Sequence, residues 1–147
     1  MKVIHTNNFK ETQMVGQNFA REILAAGTQK NAVVLALSGD LGSGKTTFLQ
    51  GFAKGLGIEE VVNSPTFIVM KRFKIYDLRF KNFYHIDCYR LDNEKDVEFL
   101  HFQEIISNPK NIVAIEWPEK IAGILPQNSI SITFKHLEEN KREIVLQ

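Results

Sequence analysis

Apolar positions first recur at helical spacing. Residues 8–26 place Val15, Phe19 and Ile23 four apart, beside Ala20 and Leu24, which predicts an amphipathic helix. The run AVVLAL (32–37) is short and continuously apolar, as a strand buried on both faces should be. Beyond a glycine-rich stretch, Leu49, Ala53 and Leu56 share one face of a second helix that ends around Gly55 and Gly57. Residues 66–87, TFIVMKRFKIYDLRFKNFYHID, carry aromatic and β-branched side chains around a polar middle and read as a hairpin. Phe99, Phe102 and Ile106 return to helical spacing within 93–106. NPKN then breaks the chain before IVAIE (112–116), a second short buried run. SISITF (129–134) alternates like a half-exposed strand, and EIVLQ offers a last one.

Strands interleaved with helices predict an α/β domain. Its central sheet should be mixed but mostly parallel, with helices on both faces and ligands beyond the carboxyl ends of the strands. No repeat, low-complexity run or linker divides the 147 residues, so 1–147 reads as one domain, long enough to close a core. The formal net charge of +1 gives no global field toward nucleic acid or membrane. MKVIHTNNFK lacks the apolar region of a signal peptide, and no stretch approaches membrane-spanning length. The single cysteine, Cys88, can form neither an internal disulfide nor a thiolate cluster and reads as packing. The expectation is a reduced, soluble, cytoplasmic protein.

The chemistry starts at Gly39-Asp40-Leu41-Gly42-Ser43-Gly44-Lys45-Thr46, followed by Thr47, which fits G-x-x-x-x-G-K-[ST] in full. Glycines let a backbone curl its N–H groups inward as an anion nest, and a following helix adds its unpaired N–H groups and positive end. Lys45 can then reach β- and γ-phosphates, and the Thr46 hydroxyl can ligate Mg²⁺. A strand before the motif and a helix after it supply the context that a plain glycine turn lacks. The reading is a P-loop NTPase fold holding a nucleoside triphosphate.

Hydrolysis also needs a carboxylate on the metal side and a group that orients water. FYHID delivers Asp87 and IVAIE delivers Glu116, each at a strand end. If both strands run parallel to 32–37, both acids reach the rim that carries the loop. Asp87 is assigned to the metal side, through water, and Glu116 to water orientation or general base. The division of roles between them stays open. Asp40 is a third acid nearby, or a turn-stabilising side chain. In NSPTF, Ser64 and Thr66 offer hydroxyls where switch segments meet a γ-phosphate, although an ordinary turn would look the same. Trp117 is either a core aromatic or a lid. His85 shares a face with Asp87 and is either a supporting or a plain structural residue.

GDLGSGKTTF, SPTF, HIDCYRL and IEWPE, in this order and at these separations, resemble the TsaE family, and the likeness extends over nearly the whole chain. The resemblance implies a compact P-loop ATPase of bacterial tRNA threonylcarbamoyladenosine synthesis. It implies binding of ATP or ADP with Mg²⁺, slow hydrolysis alone, and association with a TsaB–TsaD pair whose cycle hydrolysis resets. It maps the family's lysine and threonine onto Lys45 and Thr46, its switch threonine onto Thr66, its metal-associated aspartate onto Asp87, and its Glu–Trp pair onto Glu116 and Trp117. The hairpin departs from the family pattern, being longer and more basic. Lys71, Arg72, Lys74, Arg79 and Lys81 face only Asp77, with aromatics between them. Such a strip can grip tRNA directly, dock onto protein partners, or simply be the solvated face of a hairpin, and the last is preferred.

Two other enzyme classes fit less well. A small P-loop kinase would need an arginine-bearing lid, and NEKDVEFLHFQE contains no arginine. A GTP switch would want N-K-x-D, which NEKD (93–96) and NKRE (140–143) both miss. A nucleotide-gated binding module, inactive without partners, remains compatible with the site.

Overall fold

The computed structural model of the chain describes residues 1–63, 69–92 and 94–147. Strand β1 (Lys2–Thr6) is followed by helix α1 (Phe9–Ala26), strand β2 (Val33–Ser38), helix α2 (Lys45–Gly55), strands β3 (Met70–Lys74) and β4 (Asn82–Asp87), helix α3 (Phe102–Ser107), and strands β5 (Asn111–Glu116), β6 (Ile130–Glu138) and β7 (Lys141–Leu146). Short 3-10 turns lie at Glu94–Leu100 and Pro118–Ile121. Among the described residues the strands form one sheet in the order β1-β7-β6-β2-β5-β4-β3. The central pairings β2–β5, β2–β6 and β4–β5 are parallel, and the outer pairings are antiparallel. This is the predicted mixed α/β sheet.

The continuous apolar run of β2 is explained by burial on both sides. Val33, Leu35 and Leu37 join one core with Phe48 and Phe52 of α2 and Phe83 of β4, while Val34 joins a second core with Val97, Phe102 and Ile115. Helices α1 and α2 cover the first face; α3 and the two 3-10 turns cover the second. α1 is capped at its start by Asn8, whose side chain accepts from Glu11 N–H at 2.9 Å.

The α1–α2 crossing is close because it is made of glycines. A Cβ on Gly16 would collide with backbone atoms of Phe48 and Phe52, and one on Gly51 with the Gln13 carbonyl. In a free helix Gly→Ala is stabilising. Gly51→Ala is expected to go the other way, lowering stability by about 1–3 kcal/mol because rigid backbone, not a flexible side chain, blocks the methyl group. Urea unfolding measures it.

Three features differ from the sequence reading. β1 is an additional strand, antiparallel to β7 along the sheet edge. The helical spacing across 93–106 does not make one helix: His101 sits at φ 56°, and the chain is divided there into a 3-10 turn and the six-residue α3. β6 continues past SISITF to Glu138 because β7 pairs with its polar half, from Lys135↔Glu143 to Glu138↔Lys141.

Candidate active site

The turn between β2 and α2 holds the 39–46 motif. Gly39, Gly42 and Gly44 adopt φ of 150°, 78° and 107°, a region that side-chain-bearing residues rarely enter. A Cβ on Gly39 would also lie 2.6 Å from the Phe134 carbonyl. Gly44 is the N-cap of α2 and brings no capping side chain, so the first-turn N–H groups of α2 have none folded over them. Ser43 is buried, and its hydroxyl has no hydrogen-bond partner among the described residues.

Lys45 turns back over this loop. Its ammonium donates to the Gly39 carbonyl and, at 3.2 Å, to that of Asp40, and it lies 4.4 Å from the centre of the Trp117 ring. Burial pushes its pKa below the ordinary lysine value, while the carboxylates of Glu116, Glu119, Asp87 and Asp40 pull it back up.

The two strand-end acids lie together. β4 and β5 pair with Asp87 directly opposite Glu116, and Glu116 is opposite Leu37 in β2. Both therefore emerge at the carboxyl edge from which the 39–46 loop leaves. Asp87 Oδ1 accepts from the Tyr89 N–H at 3.0 Å. Glu116 is 2% exposed and its Oε2 is 2.5 Å from Nε2 of His85, itself 1% exposed. Burial, reinforced by the carboxylates of Asp87, Glu119 and Glu116, pushes the Cys88 thiol up to about 12, which leaves it a packing residue.

A cleft of about 550 Å³ joins these groups, lined by residues 41–47, Asp87, Glu116 and Trp117 among others. The sequence reads Trp117 as either a core aromatic or a lid, and the structure shows its packing and its place in the cleft wall. It packs against the second core, yet it lines the cleft, 5.1 Å from the Tyr89 ring, with φ of 57°. Ser64 and Thr66, the switch-like pair, lie outside the described residues. Sequence reasoning missed Asn140, in the β6–β7 turn, and Arg142, at the start of β7, which both line the cleft. Arg142 carbons lie 3.7 Å from where a Gly44 side chain would begin. Only strand pairing brings them there, so no local spacing signals it.

Chemically, an uncapped helix N-terminus, a buried hydroxyl without a partner and a lysine form a cradle suited to phosphate oxygens. Among the described residues no three His, Cys, Asp or Glu side chains could hold a metal by themselves. Two acids and a threonine hydroxyl suit Mg²⁺, which keeps waters and shares its shell with phosphates. The basic hairpin is partly spent on its own fold: Arg79 donates to Leu24 O at 2.6 Å and Lys81 to Asp77 O at 2.7 Å. Lys71, Arg72 and Lys74 remain exposed, Lys74 over the Tyr76 ring. No helix among the described residues is long and apolar enough to cross a membrane.

Residues 6–144 match the family model described as threonylcarbamoyl adenosine biosynthesis protein TsaE. The chain is 38% identical over 143 residues to the tRNA threonylcarbamoyladenosine biosynthesis protein TsaE of Bacillus subtilis, covering 95% of this chain and 80% of that protein. It is 35% identical over 133 residues to the protein of the same name from Haemophilus influenzae, covering 90% and 81%. Its fold matches the crystal structure of Bacillus subtilis YdiB with a TM-score of 0.70 at 30% identity, over 99% of this chain and 83% of that one.

Proposed function

The chain belongs to the TsaE family, whose members carry the name of tRNA threonylcarbamoyladenosine biosynthesis, and from that premise we propose that it is a Mg²⁺-dependent ATPase serving that modification together with a TsaB–TsaD pair. The observation that carries the catalytic part is the register that sets Asp87 opposite Glu116 on the edge bearing the 39–46 loop.

The loop N–H groups and Lys45 bind phosphate oxygens, and the Ser43 and Thr46 hydroxyls lie within the same cradle. Thr46 and Asp87 would hold Mg²⁺, with Glu116 directly opposite Asp87 in the β4–β5 pair. When bound, Mg²⁺ would supply positive charge that offsets the charge of the phosphate oxygens. Glu116 orients the attacking water and accepts its proton, and Trp117 walls off that end of the cleft from solvent. Arg142 and Asn140 border the other side of the loop.

The test is phosphate release by the full chain with Mg²⁺ and ATP, alone and with TsaB, TsaD and tRNA. Release that rises with the assembly and without a phosphorylated acceptor supports the reading. Absence of hydrolysis in every combination would remove it.

The tRNA is reached through the assembly. With two of five hairpin cations tied to backbone carbonyls, the isolated chain is expected not to retain tRNA at about 150 mM salt, where exposed charges more than about 8 Å apart are screened. Filter binding decides this. Retention abolished by Lys71→Glu, Arg72→Glu and Lys74→Glu together would assign a direct contact to the hairpin instead.

A further inference from the structure

We infer that His85 is a positioning residue for the hydrolytic step, holding the Glu116 carboxylate in its water-orienting place through an Nε2–H···Oε2 hydrogen bond. The inference rests on the role proposed for Glu116 and adds a residue which that role does not itself require.

The placement follows from strand register. In the β4–β5 pair His85 is opposite Ala114, and Asp87 is opposite Glu116. Side chains alternate across a strand, so His85, Ala114, Asp87 and Glu116 share one face. From its place opposite Ala114 the imidazole meets the acid diagonally across the strand pair. A carboxylate only accepts, so Nε2 is the donor. With both groups almost fully buried, the 2.5 Å contact fixes one carboxylate oxygen and leaves Oε1 for other work.

The other ring nitrogen argues against a role in packing alone. His85 Nδ1 is buried and has no hydrogen-bond partner among the described residues. Removing an imidazole nitrogen from water without a partner is unfavourable, and an apolar side chain would fill the site without that cost. What the imidazole offers in return is its hydrogen bond to Glu116. Supporting partners of this kind alter activity about 10- to 100-fold when removed, because the group they hold keeps its chemistry but loses its aim.

The experiment compares His85→Leu, which fills the space without a donor, with His85→Gln, whose amide N–H reaches the Nε2 position. Each is made with and without Glu116→Gln in the full chain, with Mg²⁺ and ATP. His85→Leu is expected to lower kcat at least about tenfold while nucleotide Kd stays within about threefold. His85→Gln should recover most of the loss, and His85→Leu should cost nothing further once Glu116 is already Gln. Nitrogen NMR of the nucleotide-free wild type should find a proton on His85 Nε2. Unchanged kcat in His85→Leu, an equal loss in both backgrounds, or an Nε2 without a proton would overturn the inference. If His85→Leu does not fold, His85→Asn replaces it, since its donor falls one methylene short. Equal kcat in the Asn and Gln variants would then overturn the inference, and loss in Asn alone would support it. A wild type that never hydrolyses ATP overturns the proposed function and this inference together. Normal wild-type turnover with an indifferent His85 variant overturns this inference alone.

Discussion

Lys45→Ala is expected to weaken Mg²⁺–ATP and Mg²⁺–ADP binding at least about 100-fold and to abolish turnover. Two effects add. The ammonium is a charged donor to phosphate, and bonds to charged groups contribute about 1.5–3 kcal/mol each. It is also the cation among four acids, Asp40, Asp87, Glu116 and Glu119, all of which act on it electrostatically. Without it a polyanion entering the cleft meets carboxylates with Mg²⁺ and the more peripheral Arg142 left to offset them. Stripping divalent ions with a chelator should therefore weaken nucleotide binding in the wild type as well. Because Lys45 also holds the Gly39 and Asp40 carbonyls and its ammonium lies over Trp117, Lys45→Met, which keeps an unbranched apolar stem without the charge, separates charge from packing. Calorimetric titration of both variants, with melting curves as a folding control, provides the measurement. Near-normal affinity in Lys45→Met would remove the lysine from the phosphate site.

Glu116→Ala should separate binding from chemistry. The residue is proposed to act on water, so its loss should lower kcat by about 10²–10⁴-fold. Affinity for Mg²⁺–ATP should be unchanged or tighter, since a negative charge facing the phosphates has gone. The alanine also strands the His85 N–H in a buried site, so Glu116→Gln, which can still accept that bond, is the cleaner variant. Fluorescent-nucleotide titration beside phosphate release reads both quantities. Unchanged turnover in either variant would reject the water-orienting role.

What the sequence made legible follows from where the physical signal is local. The β2 and β5 runs are apolar throughout because both faces are covered, and the 39–46 glycines are dictated by the dihedrals of one turn. Asp87 and Glu116 could be placed on one edge because each ends such a strand. β1 gave no comparable signal: of KVIHT only Thr6 is buried, so an edge strand pairs its backbone without an apolar stripe. The polar half of β6 was invisible for the same reason. The divided 93–106 segment keeps the spacing of a helix, while the left-handed residue that interrupts it, His101, carries no glycine to announce it. Arg142 and Asn140 lie nearly a hundred residues from the loop that they border. Local spacing in NKRE speaks only to guanine recognition, whereas its place in the cleft is set by the β6–β7 pairing.

The most direct test is a crystal structure of the full chain with Mg²⁺ and a non-hydrolysable ATP analogue. The account predicts the triphosphate in the 39–46 turn beside Lys45, the ion between Thr46 and Asp87, and Glu116 facing the terminal phosphate across a water. A triphosphate seated elsewhere, or in the turn with both strand-end acids directed away from it, would contradict the account.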